Sequence, residues 1–171
     1  ASRSSPNPCP PGRRMASRLC SAACRRWMTS MIEEERWPFV HTGPGTLAGL
    51  YLRGFWQPVY ESARLAVRQA VQVRVLGEDF TLYRGESGAA HLVGHRCSHR
   101  NTVLATGRVE GDNIRCYYHG WCFDPNGRCV EQPAEPNPFC DKVPIAAHPV
   151  REQLGLVFVF LGDSDAPPLP S

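Results

Sequence analysis

The sequence predicts an all-β fold, a single small antiparallel domain spanning about residues 55–162. Three observations carry that expectation. Val71, Val73 and Val75 alternate with polar neighbours, the period-2 pattern of a half-buried strand. Short apolar runs are punctuated by turn formers such as LGED (76–79) and Pro125-Asn126-Gly127. No long amphipathic helical pattern interrupts them.

Along the chain, residues 1–32 stand apart. They are rich in Arg, Ser, Pro and Ala and hold no acidic residue before Glu33. This composition cannot bury a core, so the stretch reads as a disordered or non-native extension. Residues 33–54 form a lead-in segment. The β pattern then runs from GFWQPVYES (54–62) through FTLYR and AAHLVGH (89–95) to DNIRCYYH and WCFDPNGRCV, the last turning at Pro125-Asn126-Gly127. Two more strands follow in AAHPVREQLGLVFVFLG, with a turn near Gln153 to Gly155. Residues 163–171, rich in Pro and Asp, have the composition of a linker.

Composition excludes several function classes. The net charge of +3 is too small to argue for nucleic acid, and no apolar run reaches the roughly 18–20 residues of a membrane span. All but one of the 19 basic residues are arginine, Lys142 being the exception, a skew that reflects coding composition more readily than a binding surface. The 8 cysteines lack the spacing of a disulfide framework, so reduced thiols in the cytoplasm are expected.

Chemistry concentrates in CSHRN (97–101) and CYYHGW (116–121), each pairing one cysteine with one histidine. Read as extended backbone, Cys97 and His99 share a face with Cα atoms about 6.5 Å apart. That is awkward for one tetrahedral ion and comfortable for two adjacent metals. The spacing C-x-H and C-x₂-H also departs from the C-x₂₋₄-C and H-x₃₋₅-H of zinc modules, although a Cys₂His₂ zinc site stays open as an alternative. The expected site is therefore a [2Fe–2S] cluster, Cys97 and Cys116 binding one iron and His99 and His119 the other. Cys122 and Cys129 read as small buried thiols. Strand parity gives His95 a supporting position, and Arg100, next to His99, offsets negative charge or engages a partner carboxylate.

The stretch CSHRNTVLATGRVEGDNIRCYYHGWCFDPNGRCVEQP resembles the Rieske domain in the large (alpha) subunit of aromatic ring-hydroxylating oxygenases, which share a CxHR…CxYHGWxFD…G pattern. The likeness extends over roughly residues 40–170. It departs at Ser98, where proline is frequent, and at Asn101, where glycine is frequent. The resemblance implies a Rieske-type β-sandwich with two cluster-binding hairpin loops. It also implies electrons from a reductase or ferredoxin, and a mononuclear Fe(II) with self-association, both carried by a C-terminal domain that these residues do not include. A freestanding Rieske ferredoxin is the other reading. Respiratory Rieske proteins carry a disulfide at positions that look like Thr102 and Tyr118 here, and a hydroxyl residue where this chain has Trp121. Fewer hydrogen bonds to the cluster disfavour its more negative reduced state, so a potential near the low end of the range, on the order of −150 mV, is expected.

Overall fold

The computed structural model describes residues 39–169. The N-terminal extension, with Cys9, Cys20 and Cys24, lies outside the described residues, as do 33–38 and the last two positions.

One short helix precedes the strands, α1 (Leu47–Arg53), capped at its start by the Thr46 hydroxyl, which accepts from the Gly49 N–H at 3.1 Å. This helix was not expected, for a physical reason. Its apolar residues Leu47, Leu50 and Tyr51 face outward and are more than half exposed, while the small Ala48 and Gly49 form the seat. A side chain at Gly49 would lie 2.1 Å from the Gly43 carbonyl oxygen, so only glycine permits this approach.

Eleven strands follow among the described residues, all paired antiparallel: β1 (Gln57–Glu61), β2 (Ala70–Val75), β3 (Glu78–Arg84), β4 (Ala90–Gly94), β5 (Arg108–Glu110), β6 (Asn113–Arg115), β7 (Cys122–Phe123), β8 (Cys129–Glu131), β9 (Ala147–His148), β10 (Val150–Gln153) and β11 (Leu156–Val159). They form three sheets, ordered β1-β11-β10, β2-β3-β4-β9 and β5-β6-β7-β8. The expected all-β antiparallel class holds. The β2–β3 hairpin turns on Leu76 (φ 46°) and Gly77 (φ 81°), within the LGED stretch expected to turn.

The β2–β3–β4 sheet is covered on both faces. Alternate residues of β3 and β4 enter two separate cores. Phe80, Leu82 and Leu92 pack with Val73, Val157 and Val159 on one side. Tyr83 and Val93 pack with Leu104, Ile114, Trp121 and Phe123 on the other. This explains why FTLYR reads as a nearly continuous buried run in place of a clean alternation. Tyr83 keeps its hydroxyl bonded to the Asp112 carbonyl oxygen at 2.9 Å, and burial drives that hydroxyl's pKa upward.

The edge of the first core is pinned by Arg84, whose side chain is largely buried. It donates to the Leu65 carbonyl (2.7 Å) and to both oxygens of Glu152 (2.7 and 3.0 Å), and the Ser62 hydroxyl donates to the same carboxylate. The tail also folds back, since Trp56 Nε1 donates to the Pro167 carbonyl at 2.8 Å within the expected linker.

The Arg84 guanidinium holds the Glu152 carboxyl below its usual range. A depressed carboxyl stabilises the fold above its unfolded pKa and loses that contribution as pH falls through the folded value. Glu152→Gln is therefore expected to cost about 1–3 kcal/mol near neutral pH. The gap from the parent should close below about pH 4. Thermal unfolding across pH 3–7 checks both.

Candidate metal centre

Loop CSHRN follows β4, and loop CYYHGW joins β6 to β7. Their backbones close in the same way. Cys97 N–H donates to the Thr102 carbonyl (2.9 Å) and Asn101 N–H to the Cys97 carbonyl (2.9 Å). Cys116 N–H donates to the Trp121 carbonyl (2.8 Å) and Gly120 N–H to the Cys116 carbonyl (3.1 Å). Each cysteine thus opens a turn tied at its fourth and fifth following residues. The fourth residue is left-handed in both loops, Asn101 at φ 56° and Gly120 at φ 75°. Asn101 stands where glycine is frequent because asparagine tolerates that region better than other side chains. These turns replace the extended geometry expected for Cys97–His99.

The structure brings the four expected ligands together pairwise. Cys97 and Cys116 are buried, 1% and 3% exposed, in one core cluster, and their thiols lie within interaction range of each other. Burial pushes the Cys97 thiol up to about 11, while backbone N–H groups of His99 and Arg100 point at its sulfur and favour the thiolate. The His99 and His119 rings lie 4.6 Å apart, edge to face. Desolvation, with lesser help from His119 and Arg100, lowers the His99 pKa and so favours its neutral imidazole.

These residues fit a [2Fe–2S] cluster by donor chemistry: two thiols, two imidazoles, and a buried His99 Nδ1 that has no hydrogen-bond partner. Among the described residues, no three Cys, His, Asp or Glu side chains gather as the ligands of a single ion. A binuclear cluster takes only two protein ligands per iron.

The surroundings hold features that local sequence did not disclose. Trp121 stacks flat on His99, centroids 4.5 Å apart and planes 6° from parallel. Phe139 meets Trp121 edge-on at 5.6 Å, and Gln132 Oε1 accepts from the Phe139 N–H at 2.6 Å. Ser98 Oγ donates to the Val143 carbonyl (2.9 Å), fastening loop 97–101 to the same segment. Arg115 is an internal clamp. It donates to the Gly120 carbonyl (2.7 Å), to Glu110 (2.7 Å) and to Glu131 (2.6 Å), and its partners are scattered in sequence.

The other candidates separate. Arg100 is exposed beside His99. Cys122 and Cys129 are buried. His95 Nδ1 is buried without a partner, as is His91 Nε2 against the Tyr83 ring at 5.2 Å. His148 packs edge-on to Phe80 in the other core, and His41 is exposed near α1.

Comparison with known proteins adds an independent line. The family model described as "Rieske [2Fe-2S] domain" matches residues 55–150. The chain is 42% identical over 142 residues to the 5,5'-dehydrodivanillate O-demethylase oxygenase subunit of Sphingobium sp., covering 80% of this chain and 34% of that protein. It is 43% identical over 127 residues to the phenoxybenzoate dioxygenase subunit alpha of Ectopseudomonas oleovorans, covering 73% and 31%. The solved NdmA of Pseudomonas putida CBB5 superposes with TM-score 0.65 at 29% identity, over 71% of this chain and 38% of that one. The apo dicamba monooxygenase structure, at TM-score 0.65 and 24% identity over 70% and 38%, shares the fold. The chain spans about a third of the length of these curated relatives.

The left-handed fourth position gives a direct test. Asn101→Gly is expected to stay within about 1 kcal/mol of the parent, and Asn101→Val to lose about 1–3 kcal/mol, because a β-branched residue is strained at positive φ. Chemical denaturation of the three proteins measures the difference.

Proposed function

The chain belongs to the Rieske [2Fe–2S] domain family, and from that premise we propose that Cys97 and Cys116 hold one iron while His99 and His119 hold the other. The domain would then serve as the electron-transfer part of a ring-hydroxylating oxygenase large subunit. One arrangement carries this reading: two buried thiols and two adjacent imidazoles at the tips of two matched turns, in a chain whose relatives include oxygenase subunits.

When bound, such a cluster takes up and gives up one electron at a time. The chain's own residues prepare for that exchange. The thiol pair gives up its protons on metal binding, which offsets the cost of ionising buried sulfur. Backbone N–H groups of His99 and Arg100 favour negative charge on Cys97. Trp121 fixes the plane of His99 and brings no hydroxyl donor to the site. Tyr117, Tyr118 and His119 are exposed, which supports this end of the domain as the face where electrons enter and leave. Arg100 beside them suits a carboxylate on the donor, a reductase or ferredoxin.

The mononuclear Fe(II), O₂-dependent substrate oxidation and self-association are assigned in this proposal to the larger part of such oxygenases, beyond the third that this chain spans. Among the described residues no helix is long and apolar enough to cross a membrane. The free cysteines suit a reducing compartment, and on that ground this proposal places the protein in the cytoplasm.

Purified under anaerobic conditions, the chain should carry iron and acid-labile sulfide in equal amounts and show a Rieske absorption and EPR spectrum. His99→Ala and His119→Ala should each abolish that spectrum, whereas Cys129→Ser should retain it. The midpoint should fall near the low end of the Rieske range, on the order of −150 mV. A value near +300 mV, or cluster loss in the serine variant with retention in the alanine variants, contradicts the assignment.

A further inference from the structure

Two cysteines outside the metal centre lie against each other. Cys129 opens β8 and is 6% exposed; Cys140 opens a short 3-10 turn (Cys140–Lys142) and is half-buried. The 3-10 turn packs on β8, Cys140 packs against the core cluster that holds Cys129, and the two sulfurs lie within interaction range of each other. Both line an open cleft of about 410 Å³, shared with Asp124, Arg128 and Asp141. The cleft has the wrong convergence for a metal ion, since among the described residues no three ligand-type side chains gather to hold one.

We propose that Cys129 and Cys140 are a thiol–disulfide site, joined reversibly by exchange with a low-molecular-weight disulfide that reaches them through this cleft. The bond would fasten the segment between them against the face of Trp121. That segment already leans on the metal centre: Phe139 meets Trp121, Trp121 stacks on His99, and Gln132 holds the Phe139 N–H. The cross-link makes a contact held by packing into one held covalently. Nothing in the pairing depends on the iron reading, because neither cysteine is among the four expected ligands.

The chemistry assigns an order to the two thiols. Cys129 is 6% exposed and Cys140 is half-buried at the cleft, which makes Cys140 the first nucleophile. Its sulfur attacks one sulfur of the small disulfide, and the S–S bond breaks to give a mixed disulfide and one small thiol. Cys129 sulfur then attacks Cys140 sulfur, and the second small thiol leaves. The two thiol protons end on the departing thiols, and two electrons pass from the protein pair to the small disulfide. In a reducing compartment such a bond is transient and reports the thiol poise.

The test treats the full chain, cluster-loaded, with a graded ratio of oxidised to reduced glutathione, followed by alkylation and peptide mapping. The expected result is a peptide linking Cys129 to Cys140, reversed by dithiothreitol and absent in Cys140→Ser. Hydrogen exchange at the amides of Phe139 to Val143 should slow on oxidation. Closing a loop of this size should raise Tm by about 5 °C or more, and the serine variant should show no such rise. A stable mixed disulfide at Cys140 with Cys129 free overturns the proposal. So does a cross-link from Cys140 to any other cysteine, or no reaction at ratios that oxidise ordinary dithiols. Metal analysis of the same samples separates this outcome from failure of the iron assignment.

Discussion

A single backbone turn, used twice, is the constraint on which the centre depends. In each copy a cysteine starts the turn, and its own N–H and carbonyl close it onto the fifth and fourth following residues. The fourth residue must then adopt a left-handed conformation, which glycine and asparagine meet at least cost. Because both turns are the same, both cysteines sink to the same depth and reach each other. The histidine is the second residue after the cysteine in one copy and the third in the other, yet the two rings meet edge to face.

The rest of the domain holds these turns in place. A central sheet buried on both faces separates a base core from the core beneath the turns, so loop 97–101 leaves a strand that is fixed from two sides. Arg115 ties loop 116–121 to Glu110 and Glu131, on strands β5 and β8, while Ser98 ties the other loop to the segment ahead of β9. The stack of Phe139, Trp121 and His99 adds ring contacts between that segment and the centre. Packing energy fixes orientation here, and hydrogen bonds fix position.

Much of this was legible in the residues. Alternation at Val71, Val73 and Val75 located β2, turn formers located the hairpins at 76–77 and 125–127, and the two Cys/His pairs marked side chains that the fold brings together. The missing parts have physical causes. Helix α1 buries its small residues and exposes its large ones, which inverts the usual amphipathic signal. Cys97 and His99 share a hydrogen-bonded turn, so the parity argument suited to strands assumed an extended geometry that the chain does not adopt there. Arg115 and Trp121 act through partners distant in sequence, which no local pattern records. Asn101 looked like a departure from the family pattern, and its positive φ shows it meeting the same backbone demand as glycine.

The proposed centre divides its four protein ligands two and two between two metals. Mössbauer spectroscopy of the oxidised, ⁵⁷Fe-enriched protein addresses that division directly. Two quadrupole doublets of equal area, one typical of sulfur-only ligation and one of mixed sulfur and nitrogen, are the expected result. A single iron environment, or a protein that holds zinc and no iron, would contradict it.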